Sequence, residues 1–558
     1  MQTQELFQFS SWTIILMMLV FYGGTYLLSL IIKKDKESTS GFMVAGHGVG
    51  FGMGAASMTA TWIWAASFYA AATSGYKYGL SGPIHYGFWG ALMILFIYPF
   101  GMRFRQLAPN GHTLGELINA RHGSSSQLIL AVSNLMGSLI SLMINFTAAG
   151  ALVSVLSPLS FQTGVIIAAV GVLSYTLTSG FRASVFTDFA QLVALMAIGV
   201  VIIPAVLFAM GGPQAMFDGL PNLTAQQQDF FSSEAFLQQG APYFVAVLAY
   251  AIGNQTITQR LFAIDKTKIK ATFVTATVGY AGIVIGLGMI GLMALTVGIQ
   301  PLDGDMNNII PQMVSTYLHP IFIALFFILV IGSLSSTADS DLSALSTIMM
   351  ADVYGKNIAK DNPNPRKMLV VGRATMIIAT ALGLIFASLK LDILVMLVFV
   401  GALWGAVVFP VIASVFWDRV TNLAFTAAVI VALIFFCIAR FELIPIEGGV
   451  ALLFEIFASV GAAVVIGLMV FGFFGRRLGF IAALITLVLM LIYATGFLRD
   501  YEVLLASLTA YGVSTIVCVA LSLMSNERFD FELIKERVGS YDKPQGKAQG
   551  GTSAQPKA

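Results

Sequence analysis

The chain has 558 residues, 58% of them hydrophobic and only 10% charged, with a net charge of +2 and a mean hydropathy of +0.86. A water-soluble protein carries about 25% charged residues, so the composition excludes an ordinary soluble fold and indicates a polytopic membrane protein. The two cysteines, Cys437 and Cys518, both sit in apolar runs, which argues against a structural disulfide or a thiolate metal site.

The first apolar run, 12–32, is long enough to span a bilayer, and without a small-residue cleavage site it reads as a span rather than a cleavable signal. The second, 48–74, is led by Gly46, Gly48, Gly50, Gly52 and Gly54 in alternation. Each glycine weakens a helix by about 1 kcal/mol relative to alanine. The segment therefore reads in one of two ways. It is a helix that begins late or breaks midway, exposing carbonyl oxygens able to hold an ion, or a helix packed closely through small residues. Further spans are predicted near 83–102, 126–157, 161–179, 184–211, 242–262 and 271–297. The next, 318–350, has a polar middle. Ser333, Ser336, Thr337, Ser340, Ser343 and Thr347 recur at spacings of three and four and share one helix face. Asp339 borders that face, and Asp341 lies off it and reads as structural. A carboxylate at mid-bilayer costs roughly 2.5–3.5 kcal/mol, so this stripe must face protein, water or an ion. Hydroxyl and carboxylate oxygens suit a small hard cation. Spans near 368–388, 391–416, 422–439, 450–474, 479–497 and 501–524 bring the expected count to about fifteen. The polar tail after them ends in a stretch with the composition of a disordered segment.

The basic residues orient these spans. The outside loops hold only Lys77, Lys390, Arg440 and Arg499. The rest of the 29 Lys and Arg residues, among them Lys33, Lys34, Lys36, Arg260 and Lys266, fall on the inside. By the positive-inside rule the N-terminus is outside and the C-terminus in the cytoplasm, in a plasma or inner membrane.

The polar span resembles the signature of the sodium–solute symporter family, in Ser333-x-x-Ser336-Thr337 and Ser346-Thr347-Ile-Met-Met-Ala-Asp352-Val-Tyr354. Three more pieces are similar to that family and stand in the right order. They are Gly180-Phe-Arg-Ala-Ser-Val-Phe-Thr-Asp188-Phe-Ala-Gln, Asn254-Gln-Thr-Ile-Thr-Gln259-Arg260 and Pro410-x-x-Ala413-x-x-Phe416-Trp417-x-Arg419. The resemblance implies an all-α, LeuT-like fold of five plus five helices in inverted repeat, at 48–211 and 242–416, joined by an outside loop at 212–241. One helix and an inside linker precede it (1–47), about four helices follow (417–524), and a cytoplasmic tail closes the chain (525–558).

The resemblance also implies a Na+ site formed by the carbonyls of Ala60, Ile63 and Ser333 and the hydroxyls of Ser336 and Thr337. Asp188 reads as a partner of Arg182 or, with Asp339 and Ser340, as a second cation site. Asp339 stands where the family usually has a hydroxyl.

A narrower resemblance, to the urea-symporter branch of plants and fungi, is carried by Trp62-Ile-Trp64-Ala-Ala, Tyr76-Lys-Tyr78-Gly-Leu-Ser81-Gly82-Pro83-Ile-His-Tyr86 and Ala108-Pro-Asn110-Gly-His112-Thr113-Leu-Gly-Glu116. The chain departs from that branch in having Thr187-Asp188 and Gln259-Arg260. Candidate substrate residues are Trp62, Trp64, His85, Tyr86, Asn254, Trp404 and Tyr250, the last as an inner gate. Aromatic walls suit a small planar or cationic solute.

The expected function is secondary active transport: symport of a small polar solute such as urea with a cation, Na+ by resemblance. The alternatives are Na+ or H+ symport of a polyamine, amino acid or carboxylate, or a passive channel. The expected partners are the solute, Na+ and the lipid bilayer, with no nucleic acid. No cofactor is expected besides Na+ as the coupling ion. No enzyme is expected: HExxH, GxSxG and GxxxxGK[ST] are absent, and His47, His85, His112, His122 and His319 do not cluster at ligand spacing.

Overall fold

A computed structural model describes residues 6–32, 38–360 and 363–539. Lys33, Lys34, Lys36 and the end of the tail lie outside the described residues. The described chain is built from helices. They run α1 (Ser11–Ile32), α2 (Phe51–Trp62), α3 (Ala65–Tyr78), α4 (Gly82–Leu95), α5 (Ile97–Leu107), α6 (Leu114–His122), α7 (Ser124–Leu156), α8 (Phe161–Ser179), α9 (Phe181–Ala209) and α10 (Ala241–Gly253). They continue α11 (Gln255–Ala263), α12 (Ile269–Thr296), α13 (Pro320–Thr347), α14 (Pro365–Ala387), α15 (Ile393–Phe416), α16 (Asn422–Arg440), α17 (Gly448–Phe474), α18 (Arg476–Tyr493), α19 (Glu502–Met524) and α20 (Glu532–Arg537), with short helical turns between.

Among the described residues, thirteen helical stretches are long and apolar enough to cross a membrane, or up to 14 with a pair bent at 66° near Ala209. The sequence indicates about fifteen. The difference lies in how bends are counted. The stretch Ser67–Leu107 has 41 residues, about 60 Å of helix if straight, which is twice the hydrocarbon thickness. It takes in the end of the predicted span 48–74 and all of 83–102, and turns between them at Gly79–Ser81. Gly79 has φ +63°, and a Cβ there would lie 2.1 Å from the Gln227 carbonyl oxygen, so the turn admits only glycine. Leu16, Val200, Val278 and Phe480 stand exposed on the outside of the bundle, as lipid-facing side chains do.

Two spans are broken. The first, α2/α3, interrupts at Ile63 (ψ 67°) and Trp64 (ψ −179°). The second, α10/α11, interrupts at Asn254 (ψ 113°). Asn254 restarts the helix as its N-cap, its Oδ1 accepting from the Thr256 N–H at 2.8 Å. The two broken spans are tied at one end, where Val49 N–H donates to Ala263 O (3.0 Å) and Asp265 N–H to Val49 O (3.1 Å). The alternating glycines belong to the late start of α2, with Gly50 at its N-cap and Gly46 at φ +76°. The break itself comes after them, in a stretch without glycine or proline.

The first part of the tail is packed. Ile534 and Val538 are buried, Arg537 Nη1 donates to Ala120 O at 2.9 Å, and the Arg121 guanidinium lies 4.1 Å from the Phe529 ring centre. α6, which carries Arg121, is started by a capping box: Thr113 Oγ1 accepts from Glu116 N–H, and Glu116 accepts from Thr113 N–H.

Candidate functional site

The break in α2/α3 leaves helix-end carbonyls without backbone partners. Side-chain hydroxyls take their place. Thr337 Oγ1 donates to Thr61 O at 2.7 Å, Ser67 Oγ to Trp62 O at 3.0 Å, and Ser333 Oγ to Ile63 O. Two of these three donors come from α13, so the break exists because a distant helix satisfies it. Ala60 is buried in the last turn of α2. The Ser336 hydroxyl donates to Asp188 Oδ1 at 2.5 Å. Ala60, Ile63, Ser333, Ser336 and Thr337 are thus gathered along the contact between α2 and α13, in an environment of oxygen atoms.

Asp188 of α9 is fully buried, and its basic partner is Arg260 of α11. Arg260 Nη2 lies 2.9 Å from Asp188 Oδ2. The same nitrogen donates to Ser340 Oγ at 2.8 Å and to Thr61 Oγ1, while Nε donates to Ser57 Oγ at 3.0 Å. Ser57 in turn donates to Asp188 Oδ2 at 2.6 Å. The sequence groups Arg260 with the inside loop charges; the structure buries it, 1% exposed, in the second half of a broken helix. Asp339 sits in a separate cage of hydroxyls: Ser184 Oγ donates to Oδ1 at 2.5 Å, and Tyr175 Oη and Thr187 Oγ1 to Oδ2 at 2.8 and 3.4 Å. Ser340 lies between the two carboxylates, 3.1 Å from Ser184 Oγ.

Beside this polar layer is a small cavity of ≈ 10 Å³, room for about one water. Trp62, Trp64, Tyr250, Asn254 and Trp404 line it together. The Tyr250 ring stands edge-on to Trp62 (6.0 Å between centres) and Trp404 (5.0 Å). Trp404 is slotted between Gly137 and Gly253: a Cβ at either would lie 2.0 or 2.6 Å from the indole. His85 and Tyr86 do not line this cavity. His85 is half-buried against Phe236, and Tyr86 packs on Tyr243.

Three further groups complete the site, and their signals were weak in sequence. Arg260 stands in a family-like motif but among apparent loop charges. Thr61 carries no pattern of its own. Asp341 lines the cavity, although it lies off the polar stripe. It stands four residues after Thr337, which shares the same wall, and residues 333–347 of α13 are buried on every side. One stripe therefore does not describe this helix.

Several known proteins are similar to the chain. A protein of Schizosaccharomyces pombe named probable urea active transporter 1 is 22% identical over 76% of this chain and 68% of its own length. A urea-proton symporter of Oryza sativa is 20% identical over 69% of this chain, which spans 58% of that protein. A sodium/pantothenate symporter of Escherichia coli is 26% identical over 68% of this chain and 79% of its own. Among solved structures, a substrate-bound, outward-open Na+-coupled sialic acid symporter superposes with a TM-score of 0.66 at 17% identity, covering 85% of this chain and 98% of that one. The fold is the LeuT-like five-plus-five inverted repeat, and the chain is a transporter rather than an enzyme. A model of the Sodium:solute symporter family matches residues 42–429, and the chain belongs to that family.

Proposed function

We propose that this protein couples the inward movement of Na+ to uptake of a small polar solute such as urea, by alternating access between repeats at 48–211 and 242–416, with the N-terminus outside. Na+ is held between α2 and α13 by oxygen atoms of Ala60, Ile63, Ser333, Ser336 and Thr337. The solute occupies the aromatic cavity next to them. Binding of either favours the other, because Thr337 belongs to both, and such coupling is reciprocal. The observation that carries the reading is the meeting of the Ser333 and Thr337 hydroxyls with the carbonyls of the broken helix.

The second cation site expected on Asp188, Asp339 and Ser340 is read differently. Arg260 already supplies a positive charge to Asp188 and Ser340, which supports one coupling ion per solute. A second reading, proton coupling, draws on Asp339, whose hydrogen-bond partners are hydroxyls. The test is accumulation of labelled urea in proteoliposomes. Uptake above equilibrium under an inward Na+ gradient supports the Na+ reading; uptake driven by a proton gradient alone supports the second. Mere equilibration counts against both and indicates a passive channel.

A further inference from the structure

The cavity contains one carboxyl group to which the transport reading gives no task. Asp341 is 1% exposed and lines the cavity one turn beyond Thr337. Its Oδ2 has no hydrogen-bond partner among the described residues, and the Ser141 and Ser138 hydroxyls stand beside the carboxyl. An unsatisfied buried acceptor costs about 1–3 kcal/mol, more when charged. Several other polar groups around the chamber are already engaged. The Trp62 and Trp404 indole N–H groups donate to Gly90 O (3.0 Å) and Ser133 O (3.2 Å). Asn254 Oδ1 accepts from the Thr256 N–H and hydroxyl, and Arg260, outside the cavity lining, is occupied by Asp188, Ser57 and Ser340. What the chamber offers a solute therefore includes an unpartnered acceptor oxygen among aromatic faces.

We propose that Asp341 is the specificity residue of the solute site, and that the site takes small solutes that turn N–H donors toward it, amides, amidines or ammonium compounds, and rejects carboxylates. The proposal rests on the reading of this cavity as the solute site. A donor N–H placed on Oδ2 supplies the missing partner. Charge–quadrupole attraction to Trp62, Trp64, Tyr250 and Trp404 favours the same solutes when they are cationic. A carboxylate brought to the same place has no hydrogen to offer Oδ2 and sets acceptor against acceptor.

The test is equilibrium binding to the purified full chain, read by tryptophan fluorescence and by thermal shift, with urea, guanidinium, methylammonium and acetate as probes at fixed Na+. At least one donor-bearing probe is expected to saturate and acetate is not. Asp341→Asn should weaken that probe at least tenfold, and Asp341→Glu should recover part of the loss. The variants should still unfold cooperatively and keep the wild-type thermal shift on adding Na+, which separates a recognition role from misfolding. Acetate binding as well as the donors, an Asp341→Asn affinity within twofold of wild type, or no donor probe binding to the folded protein each overturns the proposal. Failure of Na+ to drive uptake, with donor-selective binding intact, would overturn the transport reading alone.

Discussion

Arg260 Nη2 and Asp188 Oδ2 lie 2.9 Å apart, and neither side chain reaches solvent. One comes from the second half of a broken helix and the other from α9, so the pair joins two elements at the level of the helix breaks. Removing one member of a buried pair costs about 3–5 kcal/mol, because the remaining charge is left uncompensated. Asp188→Asn and Arg260→Gln should each lower the thermal midpoint strongly, and the double variant should recover much of the loss. Strict additivity of the two single effects would show that the pair does not act as a unit.

The same pair bears on stoichiometry. With the guanidinium in place, the measured ratio of Na+ to solute should be one. Arg260→Gln combined with a stabilising condition should change that ratio or the Na+ cooperativity, whereas Asp339→Asn should leave it unchanged. Flux ratios at fixed membrane potential check this; a wild-type ratio of two would contradict it.

Trp404 depends on two glycines. A methyl group at Gly137 would meet its Cζ2 at 2.0 Å and one at Gly253 its Cγ at 2.6 Å. Overpacking of this kind typically costs 1–3 kcal/mol. Gly137→Ala should displace the indole, loosen the Tyr250–Trp404 contact and weaken solute binding several-fold, with the Na+ dependence changed less. Binding titrations at saturating Na+ distinguish this from a general loss of fold.

Acid should destabilise the protein through two histidines outside the spans. Burial, and then His112, lowers His47 to about 4. Burial, and then Arg121, lowers His122 to about 3. The ordinary value is near 6.5. Between these values the unfolded chain binds protons that the folded chain does not, so this stability is complete above about pH 6.5 and is lost as pH falls toward the folded values. The thermal midpoint should drop from about pH 7.5 to about pH 5, and His122→Asn should reduce the drop. A midpoint that rises on acidification would contradict this.

The sequence makes the polar layer of α13 legible, because hydroxyls and carboxylates in an apolar span have few permitted surroundings. It makes the aromatic cavity legible through Trp62, Trp64, Tyr250, Asn254 and Trp404, which the structure brings into one wall. The break at Ile63–Trp64 was harder to place. Its cause is not local: Ser333 and Thr337, some 270 residues away in sequence, satisfy the carbonyls that make it tolerable. Asp341 lies off the stripe yet lines the cavity, because a helix buried on all sides presents more than one face to its neighbours. Arg260 was misread because its neighbours in sequence are loop lysines, while the second half of the broken helix carries it into the core.

The most direct measurement is uptake of labelled urea as a function of Na+ concentration in proteoliposomes, comparing wild type with the Ser336→Ala, Thr337→Ala double variant. The expected result is accumulation above equilibrium only with an inward Na+ gradient, and a severalfold rise in the Na+ concentration for half-maximal uptake in the variant. Accumulation that persists with Na+ equal on both sides, or an unchanged Na+ dependence in a folded double variant, would contradict an ion held between the broken helix and α13.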